Sequence, residues 1–427
     1  MTYQETLDYM YSRLPMYQRV GGVAFKKNLD NILALCEHLG NPQHSFRSIH
    51  VAGTNGKGSC THMLSAIFQA SGYKTGLYTS PHLKSFTERV KVDGKEILEE
   101  QVVDFIESTR SIIEEISPSF FEITVAMAFD HFAKQEVDIA IIEVGLGGRL
   151  DSTNILSPLA CLITNIGLDH TDMLGETLPE IAFEKAGIIK ENTPVVIGEK
   201  HLETTPVFTE QARLKNAPIT FAQDNISVER NIAGELAILV EGKFLLENIT
   251  LDLLGEHQIH NLKGVVSLLQ QQPIRQAFKL APKNTKVALA QVCSLTGLKG
   301  RWQKLGGNPL TYCDTGHNED GLKTIFKQLP NYQFEELHLV LGTVNDKKLE
   351  KILGLFPKEA TYYFCKPNVP RGLDAEIFKE KAGEYGLKGQ TYPSVMEALQ
   401  AAKAKASVKD FIFVGGSTFV VAEIENL

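Results

Sequence analysis

One short run in the chain, Gly53-Thr54-Asn55-Gly56-Lys57-Gly58-Ser59, has the composition needed to grip phosphate. Glycines at a strand-to-helix turn let backbone N–H groups converge on oxyanions, and the helix N-terminus that follows favours negative charge. Lys57 adds a positive charge for the β- and γ-phosphates. The run departs from the general pattern G-x-x-x-x-G-K-[ST]: Gly58 follows the lysine, and the hydroxyl comes one residue later at Ser59. The competing reading is a bland glycine turn, which the flanking strand and helix patterns argue against.

A phosphate loop calls for a metal. Glu143 ends the apolar run 137–144, at the carboxyl edge where parallel sheets place ligands. A carboxylate there is costly without a cation, although a strand-end ion pair would also satisfy it. Asp169 and His170 follow a second apolar run, 159–166, and His170 is open to two roles, metal ligand or loop hydrogen-bonder. Lys185 lies on a predicted helix; taken by itself it is a solvated surface lysine. Asp314-Thr315-Gly316-His317-Asn318 is, taken singly, a turn with an Asx cap.

These residues need a scaffold. Ile49 and Val51 belong to a short strand, and Met63, Leu64, Ile67 and Phe68 share one face of the helix after the glycine turn. Ser71-Gly72 ends that helix and residues 73–79 form a second strand, giving a βαβ unit with parallel strands. Asp93-Gly94 supplies the positive φ of a hairpin within 89–97. Helical stretches at 99–116 and 121–134 lead into the strand 137–144, apolar on both faces as central parallel strands are. Short strands with polar turns between 225 and 255 predict a small β patch. After Gly297 the alternation restarts, with strands at 310–313, 337–341, 361–365 and 411–414. Two α/β domains are expected, 1–297 and 298–427, with the boundary near 296–300.

Composition narrows the partners. A chain of 427 residues with 43% apolar and 22% charged residues has enough material for folded cores. Its 43 Lys+Arg against 51 Asp+Glu leave −8, so no global basic field recruits nucleic acid or an acidic membrane. No apolar run reaches the ~18 residues of a membrane span. Six cysteines without a C-x-x-C pair are expected to be reduced packing residues. Met1-Thr2-Tyr3-Gln4-Glu5 lacks the basic-then-apolar layout of a signal peptide, so a cytoplasmic location is expected.

Taken together, these stretches resemble the folylpolyglutamate synthase/dihydrofolate synthase family, within the wider Mur-ligase-like group. The resemblance rests on the run 53–59, on Thr79-Ser80-Pro81-His82-Leu83 with Phe86, Glu88 and Arg89, and on Phe121-Glu122. It continues through Glu143-Val144-Gly145-Leu146-Gly147-Gly148-Arg149-Leu150-Asp151-Ser152-Thr153-Asn154 and Leu168-Asp169-His170-Thr171. Glu184-Lys185-Ala186-Gly187-Ile188, Asn261, Gly300-Arg301, the run 314–318 and Gly416-Ser417 complete it. The order is kept across most of the chain. The resemblance implies a larger N-terminal P-loop ATPase-like domain with a parallel-type sheet and a small β patch. A smaller, Rossmann-like α/β glutamate ligase domain would follow it.

The implied activity is an ATP-dependent amide ligase: ATP phosphorylates a carboxylate on dihydropteroate or a folate, and the amine of L-glutamate displaces phosphate from the acyl phosphate. Such chemistry needs crowded anionic oxygens held in line and neutralised, which a phosphate loop with two Mg²⁺ ions provides. By resemblance, Gly53, Thr54, Asn55, Gly56, Lys57, Gly58 and Ser59 hold the nucleotide phosphates, with Lys57 also catalytic. Ser80 and Glu143 match ligands of one Mg²⁺, and Glu143 with His170 those of a second. Lys185 matches a lysine converted by CO₂ to a carbamate, and K⁺ is a further candidate cation. Asn261, Arg301 and Asp314 match nucleotide contacts; His317 and Ser417 lie near the incoming glutamate. Phe121, Glu122, Leu150, Asp151 and Ser152 match stretches that meet the pterin.

Two departures stand out: Glu319 follows Asn318 where the family often has proline, and Lys299-Gly300 precedes Arg301 where a second arginine is common. A monomer that closes about residues 296–300 on substrate binding is expected, with no nucleic-acid or membrane partner. A folate-only chain extender is the alternative enzyme, differing in pocket walls near 23–28 and 121–124. A nucleotide-dependent switch that kept the fold without catalysis is a third reading. The occupied lysine, carboxylate, imidazole and serine positions argue against it.

Overall fold

The computed structural model describes residues 1–13, 28–232, 234–345, 349–425 and 427. Two compact units emerge, one of residues 1–252 with 258–297, the other of 253–257 with 298–427.

The first unit is built on eight strands: β1 (Arg47–Ala52), β2 (Thr75–Tyr78), β3 (Val90–Val92), β4 (Lys95–Glu96), β5 (Ile139–Glu143), β6 (Ala160–Ile163), β7 (Val195–Ile197) and β8 (Ile219–Phe221). Their order is β4-β3-β2-β5-β1-β6-β7-β8, parallel except for the hairpin β3–β4 at one edge. That hairpin turns on Asp93 (φ 48°) and Gly94 (φ 74°), as the Asp-Gly pair predicts. β1 lies between β5 and β6, with Val51 opposite both Glu143 and Leu162. The loops after β1, β5 and β6 therefore leave the sheet side by side at its carboxyl edge.

Helix α1 (Lys57–Ala70) follows β1, and nearly all of its side chains after Lys57 are buried. Helices α2 (Glu99–Ile116) and α3 (Phe120–Lys134) cover one region of the sheet. There Phe129, Phe132 and Val125 join Tyr78, Ala140 and Ile142 in one core. A second core, with Ala52, Ile163, Ile197 and Phe208, takes in Ala182 and Ala186 of helix α4 (Leu178–Ala186). Each such Phe, Ile or Leu contributes on the order of 1.5–3 kcal/mol when fully buried. A three-stranded antiparallel sheet, β9 (Ile226–Arg230), β10 (Leu236–Val240) and β11 (Lys243–Ile249), forms the small β patch. Helix α5 (His257–Leu269) returns the chain to the phosphate loop.

The second unit carries β12 (Gln303–Gly307), β13 (Leu310–Cys313), β14 (Leu337–Leu341), β15 (Thr361–Cys365), β16 (Gly389–Tyr392) and β17 (Phe411–Gly415) in the order β12-β13-β17-β14-β15-β16. Only β12 is antiparallel. Helix α6 (Glu319–Phe326) follows β13. Trp302, Tyr312, Leu339, Phe411 and Phe413 centre its core, with Tyr312 and Phe411 stacked at 5.5 Å.

Several elements differ from the sequence expectation. β6 stops at Ile163 rather than 166, because Thr164 and Asn165 spend their hydrogen bonds on the phosphate loop. β7, β8, β12 and β16 had no strand pattern of their own: β7 and β8 are three residues long, and β12 and β16 are partly exposed. Such strands lack the alternation that marks longer ones.

Candidate active site

Gly56 takes φ 83° as the residue before α1, and a Cβ there would run into the Asn261 side chain. Gly53 at φ 146° would place a Cβ on the Thr164 hydroxyl. Both glycines are thus required by close approach as well as by backbone angle. The loop is pinned from β6: Thr54 N donates to Asn165 O at 2.9 Å, Asn55 N to Asn165 Oδ1 at 2.9 Å, and Thr164 Oγ1 to Asn55 O at 2.6 Å. Thr164 and Asn165 were not singled out in the sequence; polar residues directly after an apolar strand are the only trace they leave. Asn261, on α5, is held by a 2.8 Å bond from its Nδ2 to Gln258 Oε1.

Two lysines converge on this turn. Lys57 Nζ donates to Gly53 O (3.0 Å) and Thr54 O (3.1 Å). Lys185 Nζ donates to the same Gly53 O at 3.0 Å. Lys185 is only 4% exposed, so the solvated surface lysine expected from the bare sequence is incorrect. Its helix turns this position inward beside Ala182 and Ala186. Burial, reinforced by the charge of Lys57 and opposed by Asp169 and Asp151, lowers its pKa from 10.5 to about 7.

At the ends of β2 and β5, Ser80 N donates to Glu143 Oε2 at 3.3 Å, which places the serine beside the buried strand-end carboxylate. Asp169 and His170 stand at the carboxyl end of β6's loop, with His170 Nε2 3.8 Å from Asp169 Oδ1. His170 adopts φ 50° ahead of a short helix, Thr171–Leu174. Ser80 and Glu143 stand at the ends of the paired strands β2 and β5 and offer oxygen donors, while His170 follows β6, two strands further along the sheet from β5. That chemistry fits Mg²⁺.

The stretch after β5 builds a wall. Phe121 of α3 lies so close to Gly145 that a Cβ there would strike its ring, and Asp151 Oδ2 is 3.2 Å from the same point. Asp151 is buried and accepts from Leu146 N (2.9 Å), Thr153 N (2.9 Å) and the Thr153 hydroxyl. Burial raises its pKa, although these donors oppose the shift. Ser152 is buried next to it, and Leu150 is half-buried. Arg149 ties the wall to the Lys185 helix through Glu184, with Nη2 to Oε1 at 2.8 Å. Glu122 is committed to a capping box, accepting from Ser119 N at 2.6 Å. Arg89, given no separate role from sequence, is buried with its Nε donating to His82 Nδ1 at 2.7 Å and its guanidinium 5.3 Å from the Phe120 ring. Of the pocket-wall segment 23–28, residues 23–27 lie outside the described residues.

In the second unit, Asp314 stands past the end of β13 and uses both oxygens on backbone: Oδ2 accepts from Trp302 N (2.6 Å) and Oδ1 from Gly316 N (2.7 Å). Arg301 NH1 donates to the Thr315 hydroxyl, and His317 Nδ1 lies 3.0 Å from Thr315 O. Arg301, Asp314 and His317 thus share one turn. Asn318 caps α6, accepting from Gly321 N at 2.9 Å, and Glu319 is the first helical residue. That position is one where proline is also at home, so the turn survives the exchange. Ser417, after Gly416 (φ 87°) at the end of β17, caps a short helix, Thr418–Ala422.

A glycine-rich phosphate loop on a parallel sheet, with a strand-end carboxylate beside it, defines a P-loop nucleotide-binding α/β protein. Comparison sharpens this. The Mur ligase middle domain pattern matches residues 51–269, and the Mur ligase glutamate ligase domain pattern matches 300–418. A dihydrofolate synthase/folylpolyglutamate synthase of Escherichia coli is 31% identical over 88% of this chain and 85% of its own. A probable bifunctional folylpolyglutamate synthase/dihydropteroate synthase of Haloferax volcanii is 31% identical over 99% of this chain, which spans about half (50%) of that relative's length. The E. coli FolC structure in complex with DHPP and ADP superposes with a TM-score of 0.87 at 29% identity, covering 99% of this chain and 97% of that one. A Yersinia pestis bifunctional folylpolyglutamate synthase/dihydrofolate synthase structure with Mn, AMPPNP and L-glutamate gives 0.84 at 26% identity, over 99% and 97%. The chain belongs to the folylpolyglutamate synthase/dihydrofolate synthase family of the Mur ligase superfamily. Among the described residues, no helix is long and apolar enough to cross a membrane.

Proposed function

We propose that this chain is an ATP-dependent amide ligase that joins L-glutamate to dihydropteroate, forming dihydrofolate, and to the γ-carboxylate of folates. The observation that carries this reading is the convergence of Lys57 and Lys185 on Gly53, in the loop beside the strand that ends at Glu143. The E. coli structure with DHPP and ADP and the Yersinia structure with Mn, AMPPNP and L-glutamate bound support it for the family.

The N–H groups of residues 53–59 and the start of α1 receive the triphosphate, and Lys57, already aimed at the loop, transfers its hydrogen bonds to phosphate oxygens. Ser80, Glu143 and His170 would hold Mg²⁺, which when bound offsets phosphate charge. The Phe121–Asp151 wall takes the flat pterin and aims its carboxylate at the terminal phosphate. Attack by that carboxylate yields an acyl phosphate and ADP; the glutamate amine then displaces phosphate, leaving an amide. In the second unit, Arg301 and Asp314 serve the nucleotide, and His317 and Ser417 serve glutamate. Because its amine is half neutral near pH 7, Lys185 can add CO₂ and release a proton, and the resulting carbamate is an anion suited to supporting the cation site.

Incubation with ATP, Mg²⁺, L-glutamate and dihydropteroate tests the proposal. ADP and dihydrofolate in equal amounts are expected. Failure with dihydropteroate and with every folate acceptor would refute it. Turnover on tetrahydrofolate alone would identify a chain extender.

A further inference from the structure

His50 lies in the middle of β1, three residues before the phosphate loop, and is wholly buried. Its Nε2 is 2.8 Å from the Thr153 hydroxyl, and that hydroxyl donates to Asp151 Oδ1. A threonine hydroxyl has one proton. If the proton goes to Asp151, Thr153 must accept from His50, so the imidazole is the Nε2–H tautomer. Among the described residues its Nδ1 has no hydrogen-bond partner, as befits an unprotonated nitrogen in an apolar strand. Burial, with the charge of Lys190 adding to it, lowers the imidazole pKa to about 3, so the ring stays neutral across physiological pH.

Asp151 holds the loop that follows β5. Its Oδ2 accepts from Leu146 N, and Gly145 N also contributes. Gly145 in turn packs against the Phe121 ring. A chain of contacts therefore runs from β1 through Thr153 and Asp151 to the wall that the function proposed above assigns to the pterin.

We propose that His50 is a positioning residue for the acceptor pocket: by donating to Thr153 it commits the hydroxyl proton to Asp151 and fixes the carboxylate that braces residues 145–146 against Phe121. Without it, the Thr153 hydroxyl loses the donor that orients it, its bond to Asp151 weakens, and the wall loosens. The phosphate loop has tethers of its own on Thr164 and Asn165, so the larger effect is expected at the acceptor.

This inference rests on the ligase reading, and its test separates the two. His50→Leu is expected to raise KM for dihydropteroate about tenfold, the scale of one lost hydrogen bond to a charged group, while KM for ATP stays within about twofold. Thr153→Val should match it, and the double variant should be no worse than either. His50→Gln, which keeps an N–H donor, should restore KM to within about threefold of the original. Equal losses for ATP and dihydropteroate, additive variants, or an unchanged acceptor KM would overturn the proposal. A measurement that needs no activity accompanies these: ¹⁵N-histidine NMR of the intact protein should show His50 protonated at Nε2 and bare at Nδ1 from pH 6 to 8. The opposite tautomer, or a ring that titrates there, would overturn the relay even in an active enzyme. If the unaltered protein uses no pterin or folate acceptor, the ligase reading fails while the NMR result still decides the relay.

Discussion

Lys185 and Lys57 donate to a single carbonyl oxygen, that of Gly53, each from 3.0 Å. Two ammonium groups sharing one acceptor repel each other, which favours the neutral form of whichever is desolvated. Lys185 is the more buried of the two, and that burial lowers its pKa to about 7.

The consequence for activity is direct. Lys185→Ala should bind ATP within about threefold of the original affinity yet lose at least ~100-fold in kcat, since the carbamate proposed to support the cation can no longer form. Calorimetry for ATP and a phosphate-release assay separate the two. With ¹³C-bicarbonate, the intact protein should show a carbamate resonance that Lys185→Ala lacks, growing as pH rises through about 7. An unchanged turnover rate for the variant would remove the carbamate.

The same lysine makes stability depend on pH, and the direction is fixed. Its folded pKa, about 7, lies below the ordinary 10.5, so the folded state binds fewer protons between those values. The penalty is therefore full below pH 7 and fades as pH rises toward 10.5. In CO₂-free buffer, Lys185→Met should raise Tm more at about pH 6.5 than at about pH 9.5. An equal gain at both would contradict the buried amine.

Glu143→Gln keeps the shape of the strand end and removes its charge. Mn²⁺ binding in the presence of a non-hydrolysable ATP analogue, followed by electron paramagnetic resonance, should weaken at least tenfold, with kcat falling ~100-fold or more. Ser80→Ala should give a smaller loss of the same kind. Normal Mn²⁺ affinity in Glu143→Gln would move the cation elsewhere.

Gly56→Ala should be worse than its size suggests, because the new methyl meets Asn261 and the backbone is at φ 83°. Nucleotide affinity should drop more than tenfold. Pairing it with Asn261→Ala should recover part of that loss, leaving only the backbone strain of about 1 kcal/mol. No recovery would mean the asparagine is not the obstacle.

Asp314→Ala frees two backbone N–H groups, those of Trp302 and Gly316. A loss of about 1–3 kcal/mol is expected, visible as a lower midpoint in urea unfolding of the second unit. An unaltered midpoint would show that the turn is held by other contacts.

Much of this was legible beforehand because the decisive features are local. Glycines before a helix, an apolar run ending in Glu143 and an Asp-Gly hairpin each follow from a few adjacent residues. Edge strands such as β8 and β16 were not legible, because their three or four residues are ordered by neighbours rather than by alternation. The role of Glu122 as a capping side chain for α3 is encoded in Ser119 three positions earlier, a spacing that the stronger apolar pattern of the helix masks.

From its order of residues alone, the chain determined a strand, a positive-φ turn and a helix around Lys57, because those depend on backbone preferences and nearest neighbours. Whether Lys185 is charged could be decided only in three dimensions: 132 positions separate it from Gly53, and its desolvation comes from the packing of α4 against the sheet. The partnership of His50 with Thr153, 103 positions apart, is of the same kind. Burial and distance belong to the folded chain, and it is they that set proton affinity and hydrogen-bond direction.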